Sequence, residues 1–222
     1  GMKIAEMIDL SAPIYHNCPG NPCLPLTRVD LVMNMATSDF RLERLDMATH
    51  SGTHVDAPSH VLPDGPALDE VPLQRFTGPV AFVDLRALGA GAAISATELE
   101  PHAPRITSGG FVGLYTGWGQ KLGFTREYAY DAPWLDPSAA DWIVDHGVGG
   151  VCIDHASVSG SEEDNDLAVH QRLLSAGVLI VEGLVLTPRL LERDGWHLMA
   201  LPLHLRGASG APARVIAFAT ED

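Results

Sequence analysis

His50-Ser-Gly-Thr-His54-Val-Asp56-Ala-Pro-Ser-His60 places three imidazoles and one carboxylate within eleven positions, interleaved with a glycine and a proline. Imidazole nitrogen and carboxylate oxygen are donors that divalent ions such as zinc and manganese accept, so this density predicts a metal site. Gly52, Thr53, Val55 and Pro58 oppose an interior helix: glycine costs backbone entropy, β-branched residues lose rotamer freedom, and proline cannot donate a hydrogen bond. The stretch is therefore expected to run extended and pass into a loop. In an extended chain His50, Gly52, His54, Asp56 and His60 share one parity and point to one side. A rise of about 3.3 Å per residue would separate the alpha carbons of His50 and His54 by about 13 Å, a stretch for two imidazoles on one ion. The backbone must curve, and Gly52 is best able to let it. Asp56, two residues from His54, reaches the same ion easily.

Around this cluster, 222 residues suffice for a substantial core and suit one domain spanning 1–222. Fourteen basic against 28 acidic residues leave a net charge of −14, which argues against nucleic acid or an anionic membrane as partner, because both are held by Lys and Arg. A small-molecule substrate is the expected partner. Cys18, Cys23 and Cys152 form no Cys-x-x-Cys pair and an odd count, so neither a disulfide framework nor a zinc ribbon is expected. The cytoplasm is the expected compartment. The most apolar stretch, Val178 to Leu186, is shorter than the ~20 residues of a membrane helix and contains Glu182. No signal peptide is expected.

Short β-rich runs recur at Val29–Met33, Val80–Leu85, Phe111–Tyr115, Val151–Ile153, Val178–Leu186, Trp196–Leu203 and Val215–Phe218, most bounded by Gly or Pro. Ser95 with Glu98 resembles a capping box, and Asp136-Pro137 supplies a cap and first-turn proline for a helix ending near Gly147. A third helix is predicted from Asn165 or Asp166, through His170 and Leu174, to Gly177. The mixture predicts an α/β or α+β domain with strands outnumbering helices; strand order is not readable from periodicity.

Glu182 gives independent information. It interrupts Val178-Leu-Ile-Val181 and Leu184-Val-Leu186, so its carboxylate should be buried and should pair with a cation, bind a metal or be protonated. The competing reading is a salt bridge to a distant Arg. His16, His102, His146, His197 and His204 carry no site signal. His155, at the end of an apolar run, is a candidate substrate or supporting contact. Asp64, Asp69, Glu70 and the acidic run Glu162 to Asp166 lack calcium-loop spacing. Gly117-Trp-Gly119-Gln-Lys121 lacks P-loop spacing, and Ser209 lacks the flanks of a nucleophile elbow.

The segment His50–His60 resembles the signature of the metal-dependent cyclase or kynurenine formamidase (arylformamidase) family, whose relatives include isatin hydrolases. Ile153-Asp-His-Ala-Ser-Val158, His170-Gln-Arg-Leu-Leu-Ser-Ala-Gly177, Glu182-Gly-Leu-Val-Leu186 and Gly207-Ala-Ser-Gly-Ala-Pro212 are similar to further family segments. The resemblance implies a swivelling β/β/α fold with a mixed β-sheet and packed helices, a homodimer, and one or two divalent ions, zinc ahead of manganese. It implies that His50, His54 and Asp56 hold one ion, that Asp56 bridges to a second held by His170 and Glu182, and that His60 is the catalytic histidine. The implied reaction is hydrolysis of a small amide such as N-formylkynurenine, a step of tryptophan catabolism. Family members resemble one another in an aromatic residue before a Pro-Gly pair near the N-terminus; here Cys18 precedes Pro19-Gly20, so substrate contact falls to Cys18 or to Tyr15, Trp118 or Trp134. Opening of a cyclic amide or lactone is the sibling reading. Two competing classes are a non-catalytic metal-binding protein and a facial-triad iron oxygenase; His170 and Glu182 favour the hydrolase.

Overall fold

The computed structural model describes residues 3–221. Twelve strands are described: β1 (Ile4–Asp9), β2 (Arg28–Met33), β3 (Leu42–Asp46), β4 (His54–Asp56), β5 (Thr77–Asp84), β6 (Ala93–Ile94), β7 (Phe111–Tyr115), β8 (Trp134–Leu135), β9 (Gly150–Ile153), β10 (Leu179–Glu182), β11 (Trp196–Pro202) and β12 (Gly210–Thr220). The α-helices are α1 (Ala96–Leu99), α2 (Arg126–Tyr130), α3 (Pro137–Asp145) and α4 (Glu163–Ser175), with several 3-10 turns between elements. The fold is the mixed α/β arrangement expected.

The main sheet runs β1-β12-β11-β5-β7-β9-β10-β4, and β4 pairs also with the start of β12, so the ladder returns on itself. β5, β7, β9 and β10 are parallel. β11, β12, β1 and β4 join antiparallel. The parallel strands read as continuous apolar runs because both faces are covered: every residue of β7, β9 and β10 is buried. One face packs a cluster that includes Val55, Phe82, Phe111, Val181, Trp196 and Ala211. The other packs beneath α3 and α4 through Ala139, Ile143, Val169, Leu173 and Ile180.

The predicted caps are present: Ser95 and Glu98 form a capping box, and the Asp136 carboxylate accepts from Ala139 N–H. Three boundaries differ. β12 begins at Gly210 and not at Val215, and its added residues pair with β4. α4 begins at Glu163, with Glu163, Asp164 and Asp166 all in its first turn, where acids are stabilised by the helix dipole. β10 stops at Glu182 instead of running to Leu186, because Gly183 turns away with φ +71°. Leu184 is left with a single bridge to Ser11. β1, β3, β6 and β8 fall outside the expected runs; β1 and β3 are largely exposed, and β6 and β8 have only two residues each. All three cysteines are free, and no described helix is long and apolar enough to cross a membrane.

Candidate metal centre

Strand register builds the centre. β4 lies between β10 and β12, with His54 opposite Glu182 and Asp56 opposite Ile180 on one side, and Asp56 opposite Gly210 on the other. Side chains alternate along a strand, so Val55 enters the inner cluster while His54, Asp56 and Glu182 face α4, which supplies His170. The curvature needed to bring His50 round is present: Gly52 has φ +65°. Gly183 must also be glycine, since a Cβ there would lie 2.3 Å from the Gly52 carbonyl oxygen. His60 closes the 3-10 turn Pro58–His60. The six residues singled out in the sequence, His50, His54, Asp56, His60, His170 and Glu182, thus come together.

Their hydrogen bonds define which nitrogens are free. His54 Nδ1 donates to the Gly52 carbonyl at 2.8 Å, so in the neutral ring Nε2 presents a lone pair. That nitrogen lies 3.4 Å from Asp56 Oδ1 and 3.3 Å from Glu182 Oε2. His170 repeats the device: Nδ1 donates to the Asp166 carbonyl at 2.8 Å, and Nε2 lies 3.6 Å from Asp56 Oδ2 and 3.4 Å from Glu182 Oε1. Two lone pairs and two carboxylates cannot face one another in a dry site without a cation between them. No Lys or Arg pairs with Glu182 among the described residues, which removes the distant salt bridge as an explanation. Its remaining partner is Val158 N–H, at 2.6 Å from Oε1. Glu182 is 4% exposed and Asp56 fully buried, and Asp56 Oδ2 has no hydrogen-bond partner.

A metal ion fits this arrangement. Bonds of about 2.1 Å in a tetrahedral site put neighbouring donors about 3.4 Å apart, close to the four nitrogen–oxygen separations above. His54, Asp56 and Glu182 form one group of donor atoms mutually within 4.8 Å, and His50, Asp56 and His60 form a second, with Asp56 common to both. The grouping differs from the one implied by resemblance: His54 falls with Glu182 and not with His50, and His60, implied to be the catalytic histidine, falls among the donors with His50 and Asp56.

In the absence of an ion, protons take its place. Burial lowers the His54 pKa, but the carboxylates of Asp56 and Glu182 outweigh it and push it up to about 10. His170 is likewise raised well above its ordinary value by Asp56 and Glu182 against burial. Burial pushes the Asp56 carboxyl up, yet the imidazoles of His170, His50 and His54 hold it well below the usual range. Glu182, raised by burial and by Asp56, is brought down to about 2 by His170 and His54.

His50 and His60 form the outer part. Because a carboxylate only accepts, the 2.7 Å contact of His50 Nδ1 with Asp56 Oδ1 is a donation by His50. The neutral ring's Nε2 then accepts from Ser209 Oγ at 3.0 Å. His60 stacks on His50 with ring centroids 3.9 Å apart and is the most exposed of the six residues. Loss of solvation lowers its pKa, opposed by Asp56 and Glu182, so its ring is neutral at pH 7 and able to take a proton.

Cys18 is buried and shares a small cavity with His50, Gly52, Leu122, Tyr128, Ala156 and Gly183. Of the aromatics named from sequence, Tyr15 is exposed, and Trp118 is buried against Tyr128 and Ala132. Trp134 lines a separate pocket with His155. His155 Nε2 donates to the Tyr128 carbonyl at 2.8 Å, which anchors the wall carrying Tyr128. Sequence reasoning missed Tyr128, and it set Ser209 aside as a nucleophile without foreseeing its bond to His50. For Ser209 the signal was present in Gly207-Ala-Ser-Gly-Ala-Pro212. Tyr128 carries none.

A closed mixed sheet with a buried imidazole and carboxylate cage at the end of its parallel strands defines a class of α/β proteins with a candidate hydrolytic metal centre. The Cyclase family model, described as "Putative cyclase", matches residues 8–159, and the chain belongs to that family. The kynurenine formamidase of Salinibacter ruber is 32% identical over 184 residues, covering 82% of each chain. A solved structure described as a potential metal-dependent hydrolase with cyclase activity is 30% identical, covers 100% of both chains and superposes with a TM-score of 0.80. An isatin hydrolase bound to the product analogue thioisatinate shares the fold at TM-score 0.87 and 20% identity, covering 97% of this chain and 93% of that one.

Proposed function

We propose that the chain is a metal-dependent amidohydrolase acting on a carbon–nitrogen bond of a small non-peptide amide, with N-formylkynurenine as the first candidate substrate. The observation that carries this reading is the convergence of His54 and His170 Nε2 on the carboxylates of Asp56 and Glu182, with Asp56 Oδ2 orphaned, a donor set that calls for a cation. His54, Asp56, His170 and Glu182 would hold one or two divalent ions, zinc ahead of manganese, since nitrogen and oxygen donors suit both; His50 would join them by turning a nitrogen from Asp56 or Ser209 to the ion. When bound, such an ion supplies Lewis acidity, lowering the pKa of water from about 15.7 toward about 7 and polarising a carbonyl.

The protein's own residues do the rest. Asp56 and Glu182 keep the centre anionic enough to retain a dication. Gly52 and Asp166 carbonyls fix the tautomers of His54 and His170. His60, neutral and open to solvent, accepts a proton from water and returns it to the departing amine nitrogen. Ser209 and Asp56 hold His50, and His50 supports the His60 ring by stacking. The cavity beside Cys18, Tyr128 and His50 measures ≈ 20 Å³, room for about one water, so a substrate's organic group would enter here only with an opening of this wall.

Cys18 favours a second reading. Where the family's aromatic platform would stand, this chain has a thiol with little stacking area, so an anilide is either held differently or is not the substrate, and the opening of a cyclic amide or lactone by the same chemistry is the alternative. The protein stripped with chelator and reconstituted with zinc or manganese should hydrolyse N-formyl-L-kynurenine. Turnover of isatin but not of the formamide would select the second reading, and turnover of neither by metal-loaded protein would remove both.

Self-association as a homodimer is part of this proposal. The β2–β3 arm forms its own two-stranded sheet and exposes Leu31, Val32, Phe40, Leu42 and Leu45; an isolated hairpin is marginal in water without an apolar partner.

A further inference from the structure

Behind His170 and Glu182 lies a layer that the sequence shows only as part of an acidic run. Asp166 sits in the first turn of α4, four residues ahead of His170. Its Oδ1 accepts the hydroxyls of Ser157 and Ser159, each at 2.7 Å. Ser159 is 1% exposed, and its N–H donates to Ser157 Oγ at 3.2 Å. One carboxylate oxygen therefore ties the loop 157–159 to the helix. Both ends of this tie reach the metal cage. Ser159 Oγ lies 3.1 Å from His170 Nδ1, beside the Asp166 carbonyl that accepts that nitrogen's hydrogen. Val158, between the two serines, donates its N–H to Glu182 Oε1.

An acid that served only the helix dipole would need no serine partners, and two buried-side hydroxyls would not converge on it. We propose that Asp166 is a positioning residue for the centre: through Ser157 and Ser159 it holds His170 and Glu182 in the orientation that binds a divalent ion, and it thereby sets the affinity for that ion. The proposal rests on the metal-centre reading above. Asp166 itself stays outside the cage, but its Oδ1 also lies 3.5 Å from His170 Nδ1, so its influence passes through the loop and through the His170 ring, as outer partners of metal ligands commonly act.

The test is zinc affinity of the full chain, stripped of metal and titrated in competition with a chromophoric chelator. Asp166→Ala should weaken zinc binding by about 10–100-fold. Asp166→Asn keeps an oxygen that accepts both hydroxyls and should stay within about threefold of the parent. Asp164→Ala removes another acid from the same exposed turn and should leave affinity unchanged. The Ser157→Ala, Ser159→Ala double variant should reproduce the Asp166→Ala loss and add nothing to it when combined; it carries the test alone if Asp166→Ala does not fold. Parent-like affinity in Asp166→Ala or in the serine variant would overturn the proposal, as would an equal loss in Asp164→Ala. A parent protein that takes up no zinc or manganese would overturn the metal-centre reading itself, and this inference with it.

Discussion

His54 is the residue whose chemical state changes most when an ion enters. Its Nε2 is held at a pKa of about 10 by Asp56 and Glu182 in the metal-free protein, so at pH 7 it carries a proton, and His170 is raised in the same direction. An ion needs the neutral imidazole. Uptake must therefore release protons, and apparent affinity should rise with pH by about tenfold per unit for each proton displaced, up to the His54 pKa. Calorimetric titration in buffers of different ionisation enthalpy measures this directly; uptake with no proton release would contradict the assignment of His54. His60 behaves differently. Replacing it with Ala should lower kcat by about 10²–10⁴-fold with bound metal retained, whereas loss of metal in that variant would make His60 a ligand. At this scale much was legible. Glu182 announced itself by interrupting an apolar run, and the spacing of His50 to His60 marked the donors. Gly207-Ala-Ser-Gly-Ala-Pro212 marked the segment of Ser209 but not its role, because its contact with His50 joins residues 159 apart in sequence and exists only once β12 has closed onto β4.

The element that makes the cage is the pairing of β4 with β10, and Gly183 is where that pairing ends. A side chain there meets both a left-handed backbone and the Gly52 carbonyl, so Gly183→Ala should destabilise the protein by about 1–3 kcal/mol. Because about 1 kcal/mol moves the unfolding midpoint of a chain this size by about 2–4 °C, thermal unfolding of metal-free protein should show a drop of several degrees. An unchanged midpoint would mean that the two turns separate without cost and that register is held elsewhere. The strands of the parallel core were readable as apolar runs bounded by glycine, and α3 by its Asp136 cap. β3 was not readable: Leu-Glu-Arg-Leu-Asp is exposed along its whole length and has no buried face to leave a pattern. The end of β10 was misread because Leu184 and Leu186 are as apolar and buried as the strand before them, while only the backbone at Gly183 marks the break.

For the whole molecule, the return of the ladder through β4 is the consequential feature, since it brings the two halves of the site, residues 50–60 and 170–182, onto adjacent elements. No periodicity encodes such a closure; it follows from pairings between segments more than 100 residues apart. The proposed homodimer belongs to this scale too. Lysine at both Leu31 and Leu42 should shift the protein from dimer to monomer in sedimentation velocity, and a monomeric parent would refute the role given to the β2–β3 arm. The proposed chemistry requires that the space between Asp56, Glu182, His54 and His170 hold a divalent ion. The most direct test is the metal content of parent and Asp56→Asn proteins after loading with zinc or manganese and dialysis at neutral pH. At least one equivalent per chain is expected in the parent and a near-complete loss in Asp56→Asn, a change of charge with almost no change of shape. Metal-free parent protein, or equal retention by the variant, would contradict that requirement.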